Sequence, residues 1–169
     1  MVRIAVLVSG GGTNLQALID AQSRGELKNG RIAAVLSSRP DAYALDRAAR
    51  AGIPGYVVAR KDFASNREMT IALVDKLREL NIGLVVLAGF LHILTGEMVA
   101  AFPNAILNVH PALIPSFCGA GYYGLHVHEA ALAYGVKLTG ATVHFVNEEP
   151  DGGPIVLQRA VEILEGDTP

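Results

Sequence analysis

The sequence predicts an α/β protein: an open, mostly parallel, twisted sheet with helices on both faces and an antiparallel hairpin near its C-terminal end. Three observations predict it. Short apolar runs rich in β-branched residues alternate with helical patterns along the first half, and that alternation is the signature of βαβ units. The run "IGLVVLAGF" (82–90) is apolar almost throughout, as a strand covered on both faces reads. Finally, "GATVHFV" and "GPIVLQRAVEI" flank "NEEPDGG", a loop of turn formers, in the manner of the two arms of a hairpin.

Taken in order, "RIAVLVS" is the first strand and "NLQALIDAQSR" the first helix, with Leu15, Leu18 and Ile19 on one stripe for packing onto a sheet. "RIAAVLSS" is the next strand, "AYALDRAARA" the next helix and "PGYVVA" a third strand. Asn66 to Leu80 repeats the helical period with Met69, Leu73, Val74 and Leu77, and leads into "IGLVVLAGF". The stretch "NAILNVHPALIP" reads as a strand that ends at His110, because Pro111 extends its predecessor and cannot donate to a ladder. "GLHVHEAAL" opens a further helix. A chain of 169 residues without repeats or a Pro/Ser linker is expected to form one domain, residues 1–169.

At 51% hydrophobic and 18% charged residues, the composition is that of a folded chain. A net charge of -2 gives no basic footprint, so no nucleic-acid partner is expected. Cys118 is the single cysteine, which excludes an intrachain disulfide and a Cys-based zinc cluster. With no apolar run long enough for a membrane span and no cleavable leader pattern, the reading is of a cytoplasmic protein without a membrane partner.

Chemistry concentrates in three places. Asn108 and His110 stand two apart in a strand, so they share one face at its C-terminal end, where parallel α/β sheets bind ligands. They are either polar residues satisfied locally or a reacting pair. In "VSGGGTNLQ" a strand runs directly into a helix through Gly10, Gly11 and Gly12. Glycines let the backbone turn and present N–H groups, Thr13 or Asn14 is placed to cap the helix, and its positive end favours an anion. Leu15 stands where a dinucleotide fingerprint needs glycine, and no lysine follows as in a P-loop, so a single phosphomonoester is the expected guest. In "EPDGGPI", Asp151 precedes two glycines that allow unusual backbone angles. Asp-Gly is also an ordinary turn. Beside Asn108 and His110, however, its carboxylate would favour a charged imidazole while the amide met a developing oxyanion. Arg67, near a helix start, is either a solvated surface residue or placed for an anion. His126 and His128, two apart at a helix start, and His144, inside a strand, suggest no metal site. Ser116 and Cys118 lack the setting of a nucleophile.

"ILNVHPALIP", "SGGGTNLQ" and "DGGPI", in that order, resemble the glycinamide ribonucleotide formyltransferase family, and the likeness extends through "VLAGFLHIL" and "GATVHFV" over essentially the whole chain. The resemblance implies a Rossmann-like formyltransferase fold and a role in de novo purine biosynthesis. The reaction it implies is formyl transfer from 10-formyltetrahydrofolate to the amine of 5-phosphoribosylglycinamide, by direct attack through a tetrahedral intermediate and without a metal. It further implies that His110 is the general acid at the formyl oxygen, that Asn108 holds that oxygen, and that Asp151 keeps the imidazole charged and helps relay protons. Gly12, Thr13 and Asn14 would seat the ribonucleotide phosphate. Arg67, the segment Leu91, His92, Ile93 and Leu94, and the loop Asn147, Glu148, Glu149, Pro150 and Asp151 would line the folate site together with Asn108.

His92 stands where some relatives carry arginine, and "SFCGAGYYGLHVHEAAL" is longer than the Pro-Gly version of other members. Asp167, Thr168 and Pro169 read as the cap and first turn of a helix; the expectation is a C-terminal helix that these 169 residues lack. Rival readings are a formyltetrahydrofolate deformylase, the catalytic domain of a tRNA formyltransferase, or a non-catalytic phospholigand-binding module with His110 far from Asp151.

Overall fold

In the computed structural model, which describes residues 1–169, the chain divides into two compact units, Met1–Ile106 and Leu107–Pro169. The first begins with β1 (Val2–Val8), α1 (Thr13–Ser23), β2 (Gly30–Ser37), α2 (Tyr43–Arg50) and β3 (Gly55–Val57). It continues through α3 (Asn66–Glu79), β4 (Leu84–Leu87) and α4 (Gly96–Ala101). Its strands lie in the order β3-β2-β1-β4, and every pair is parallel.

β1 is central, and its sequence accounts for that. Ile4, Val6 and Val8 share a cluster with Leu15 and Ile19 of α1 and Ala44 and Ala48 of α2. The alternate residues Ala5 and Leu7 are also fully buried, so both faces of the strand are covered. Packing at this density makes burial of apolar side chains the main stabilising contribution, about 1.5–3 kcal/mol for each large one. α3 buries Met69, Leu73, Val74 and Leu77, the stripe expected from its period. Its N-terminus is capped by Ser65, whose hydroxyl accepts from Glu68 N at 3.2 Å, while the Glu68 carboxylate accepts from Ala64 N at 3.0 Å.

The second unit takes up β5 (Ile106–His110) from Leu107 and adds α5 (Leu125–Tyr134), β6 (Leu138–Phe145) and β7 (Ile155–Glu162). β6 is antiparallel to both β5 and β7, with Asn108 opposite His144 and His110 opposite Thr142. The expected class, a mostly parallel α/β sheet with a C-terminal antiparallel hairpin, is borne out. β7 is exposed along its whole length, including Ile155, Val156, Leu157 and Val161.

Two local expectations are corrected. "IGLVVLAGF" is a strand only to Leu87, because Gly89 adopts a left-handed φ of 73° and turns the chain. "PGYVVA" contributes three strand residues. Near the last residue, the Asp167 carboxylate accepts from Leu164 N at 2.8 Å and closes a turn. No helix is long and apolar enough to cross a membrane.

Candidate active site

β5 ends at His110, as Pro111 dictates, and the chain after it is tied down by one hydroxyl. Thr142 Oγ1 donates to Ala112 O at 2.6 Å and accepts from Ile114 N at 3.1 Å, and Gln158 Nε2 reaches both Thr142 Oγ1 and Ile114 O. These bonds fix the segment that leaves His110, whose side chain is almost fully buried. Its Nδ1 lies 3.5 Å from Asp151 Oδ2, and its Nε2 lies 2.8 Å from Phe117 O. Both ring nitrogens therefore face acceptors, an arrangement in which a ring carrying both protons donates twice.

Asp151 reaches this place from the β6–β7 loop. A Cβ at Gly153 would overlap the Phe145 carbonyl oxygen, so only glycine lets the loop close. Gly152 and Gly153 are thus needed for close approach; the left-handed residue is Asp151 itself, at φ 54°. Its Oδ2 accepts from Gly119 N at 2.9 Å, and its Oδ1 lies 3.5 Å from Asn108 Nδ2 and 3.6 Å from His144 Nε2. Burial pushes this carboxyl up, but the hydrogen bonds of His144 and Gly119 and the charges of His110 and His144 outweigh it and leave it below the usual carboxylate value. Asp151 is therefore in polar contact with both Asn108 and His110.

Its place inside a strand gives His144 no role in the sequence, and the structure places it beside Asn108 and Asp151. It is 1% exposed, its Nδ1 meets Phe145 O at 2.8 Å, and its Nε2 lies 3.1 Å from Asn108 Nδ2. Burial lowers its pKa, yet the Asp151 hydrogen bond, the Phe145 carbonyl and the Asp151 charge together leave it raised. The strand alternation in "ATVHFV" places Thr142 and His144 on one face, a signal that points here once β6 pairs with β5. Cys118 is not activated: burial and the Asp151 charge push its thiol up, and Sγ donates to Pro115 O at 3.3 Å.

At the glycine turn, α1 is capped by Gly12 in the left-handed region, not by Thr13 or Asn14, and no side chain caps it. Only Gly12 of the three glycines must be glycine. A Cβ there would lie 2.6 Å from Ala44 Cβ, whereas one at Gly10 or Gly11 meets nothing within 4 Å. The turn's carbonyls are claimed by α2, with Ala44 N on Gly10 O at 3.1 Å and Arg47 Nε on Gly11 O at 2.8 Å. The first helical bond is Gln16 N to Gly12 O, so the N–H groups of Thr13 and Asn14 stay free, and both residues are exposed. Arg47, which the sequence reading passed over, brings a cation to this turn.

The remaining expected residues have partners of their own or face solvent. Arg67 is paired with Glu97, whose carboxyl is held down at about 2, first by the Thr95 hydroxyl and then by its own backbone N–H and Arg67. Leu91 and Ile93 are exposed, Leu94 is half-buried, and Leu91 N donates to the buried Ser9 hydroxyl at 3.0 Å. His92 stacks edge-on with Phe90, and burial together with the Arg60 charge lowers its pKa, which favours a neutral ring. In the loop, Glu149 N donates to Asn147 Oδ1 at 3.0 Å, while Glu148 and Pro150 are exposed. His126 pairs with Glu129 on its own helix turn.

A protein-family model described as formyl transferase matches residues 2–169. Phosphoribosylglycinamide formyltransferase of Haemophilus influenzae is 48% identical over 99% of this chain, which spans 76% of that enzyme's length. The human trifunctional purine biosynthetic protein adenosine-3 is 45% identical over 98% of this chain and 16% of its own. The crystal structure of glycinamide ribonucleotide transformylase 1 from Symbiobacterium toebii superposes with a TM-score of 0.92 at 47% identity, covering 99% of this chain and 76% of that one.

Proposed function

The chain belongs to the formyl transferase family, and from that premise we propose that it moves a formyl group from 10-formyltetrahydrofolate to the amine of 5-phosphoribosylglycinamide. The observation that carries this reading is Asp151, whose carboxylate stands beside both His110 and Asn108 where β5 ends. Attack of an amine on a formyl carbon drives negative charge onto the formyl oxygen, and the reaction needs a proton or hydrogen-bond donors there. His110 supplies the proton, Asn108 holds the oxygen, and Asp151 provides the counter-charge. None of the three forms a covalent bond to the group being moved.

The acceptor's phosphate is assigned to the free N–H groups of Thr13 and Asn14 and the backbone of Gly12, at a helix N-terminus with Arg47 beside it. The folate is assigned to Leu91, His92, Ile93 and Leu94, to Asn108, and to the loop Asn147–Asp151. The exposed apolar side chains of Leu91 and Ile93 suit an aromatic guest. Arg67 is assigned there too, although its guanidinium already has Glu97 as a partner. Incubating the protein with 10-formyltetrahydrofolate, with and without 5-phosphoribosylglycinamide, tests the reaction. The expected result is formylated acceptor in step with released tetrahydrofolate; equal donor consumption in both samples would mark a hydrolase instead.

A further inference from the structure

His144 has two ring nitrogens with different duties. Nδ1 faces the Phe145 carbonyl at 2.8 Å, so it carries a proton. Everything then depends on Nε2, which sits between the Asn108 amide at 3.1 Å and Asp151 Oδ1 at 3.6 Å. In the arrangement seen, the Asn108 nitrogen points inwards to both His144 Nε2 and Asp151 Oδ1. Its oxygen meets no protein donor, and no buried side-chain oxygen lacks a partner, so that oxygen is open to solvent. Outward, Asn108 thus shows an acceptor. A formyl oxygen gathering negative charge needs a donor there.

We propose that His144 is a positioning residue that decides which end of the Asn108 amide faces the reaction. With Nε2 bare, it accepts from the amide nitrogen and leaves the oxygen outward. With Nε2 protonated, it donates to the amide oxygen, the amide turns by half a revolution, and the NH₂ group faces out as a donor. The two orientations fill the same volume, because amide oxygen and nitrogen are nearly the same size.

The Asn108 Nδ2 contact with Asp151 Oδ1 at 3.5 Å belongs to the first orientation, and the charge around Nε2 favours the second. A bare Nε2 would set a lone pair against the Asp151 carboxylate, whereas an imidazolium is attracted to it. The raised pKa of His144 agrees in direction. Other titratable groups nearby are His110, on the far oxygen of the same carboxylate, and Cys118, which feels its charge. From β7, the residue opposite His144 is Ile155, which carries no charge.

This inference rests on the formyltransferase reading, and it is tested apart from it. Ring-nitrogen NMR of the unaltered protein across pH is expected to show His144 Nε2 taking up its proton at a higher pH than a free imidazole; a Nε2 still bare where a free imidazole is protonated overturns the proposal whether or not the protein formylates anything. In the enzyme assay, His144→Leu is expected to lower kcat by about 10²- to 10³-fold, the cost of one oxyanion donor. KM for both substrates should stay within about threefold, because a donor needed only in the transition state does not change ground-state binding. His144→Gln offers a donor that does not titrate. It should retain most of kcat and lose the alkaline fall that His144 imposes on the pH profile. A folded His144→Leu protein with unchanged kcat, or a His144→Gln profile identical to the parent's, sinks the role of His144 and leaves the formyltransferase reading standing.

Discussion

His110 has one acceptor on each ring nitrogen, and the one on Nε2 is a backbone carbonyl, Phe117 O. Phe117 holds a left-handed φ of 50°, an uncommon conformation for a bulky residue. Replacing His110 with Ala removes a proton donor that acts in the transition state, so kcat is expected to fall about 10²- to 10⁴-fold. Ribonucleotide affinity, measured by direct titration, should change far less. The Phe117 contact is not visible from the sequence, and the Asp151 contact enters there only through the family resemblance. "NVHP" shows that Asn108 and His110 share a face, because strand alternation is local. It does not show that residues 117, 119 and 151 come back to meet them.

Among the elements, the β1–α1 turn is the most constrained by its neighbours. The sequence offers three glycines in a row and does not distinguish among them. The structure requires one. Gly12→Ala should destabilise the protein by about 1–3 kcal/mol, since it forces a side chain into the left-handed region as well as into Ala44. Gly11→Ala should leave the urea midpoint unchanged, because its Cβ meets nothing within 4 Å. That variant is the clean probe of phosphate binding, and the expected result is weaker ribonucleotide affinity with folate affinity retained. β7 lies at the other extreme. It is an edge strand with every residue exposed, and few buried contacts mean low local stability. Its amides are expected to exchange with solvent well before those of β1, whose residues 4 to 8 are buried; equal protection of the two strands would contradict this.

For the whole molecule, the His144–Asp151 pair ties stability to pH on two sides. Asp151 has a depressed folded pKa, so its contribution is full above its unfolded value of 3.8 and is lost as pH falls through the lower folded value. His144 has a raised folded pKa, so its contribution is full below its unfolded value of 6.5 and is lost as pH rises through the higher folded one. Urea midpoints should therefore be highest between those two values as far as this pair is concerned, and Asp151→Asn should flatten both flanks. The sequence by itself determined the α/β class, the end of β5 at His110, the α3 stripe and the hairpin, because each follows from local periodicity or from the geometry of proline and glycine. It also marked Asn108, His110 and Asp151 as chemically unusual. Tertiary structure alone decided that β4 stops at Leu87, that Gly12 rather than Thr13 or Asn14 caps α1, that Arg67 is held by Glu97 and that His144 stands beside Asn108. These outcomes depend on strand register and on contacts between residues distant in the chain, and such pairings leave no periodic signal for a sequence to show.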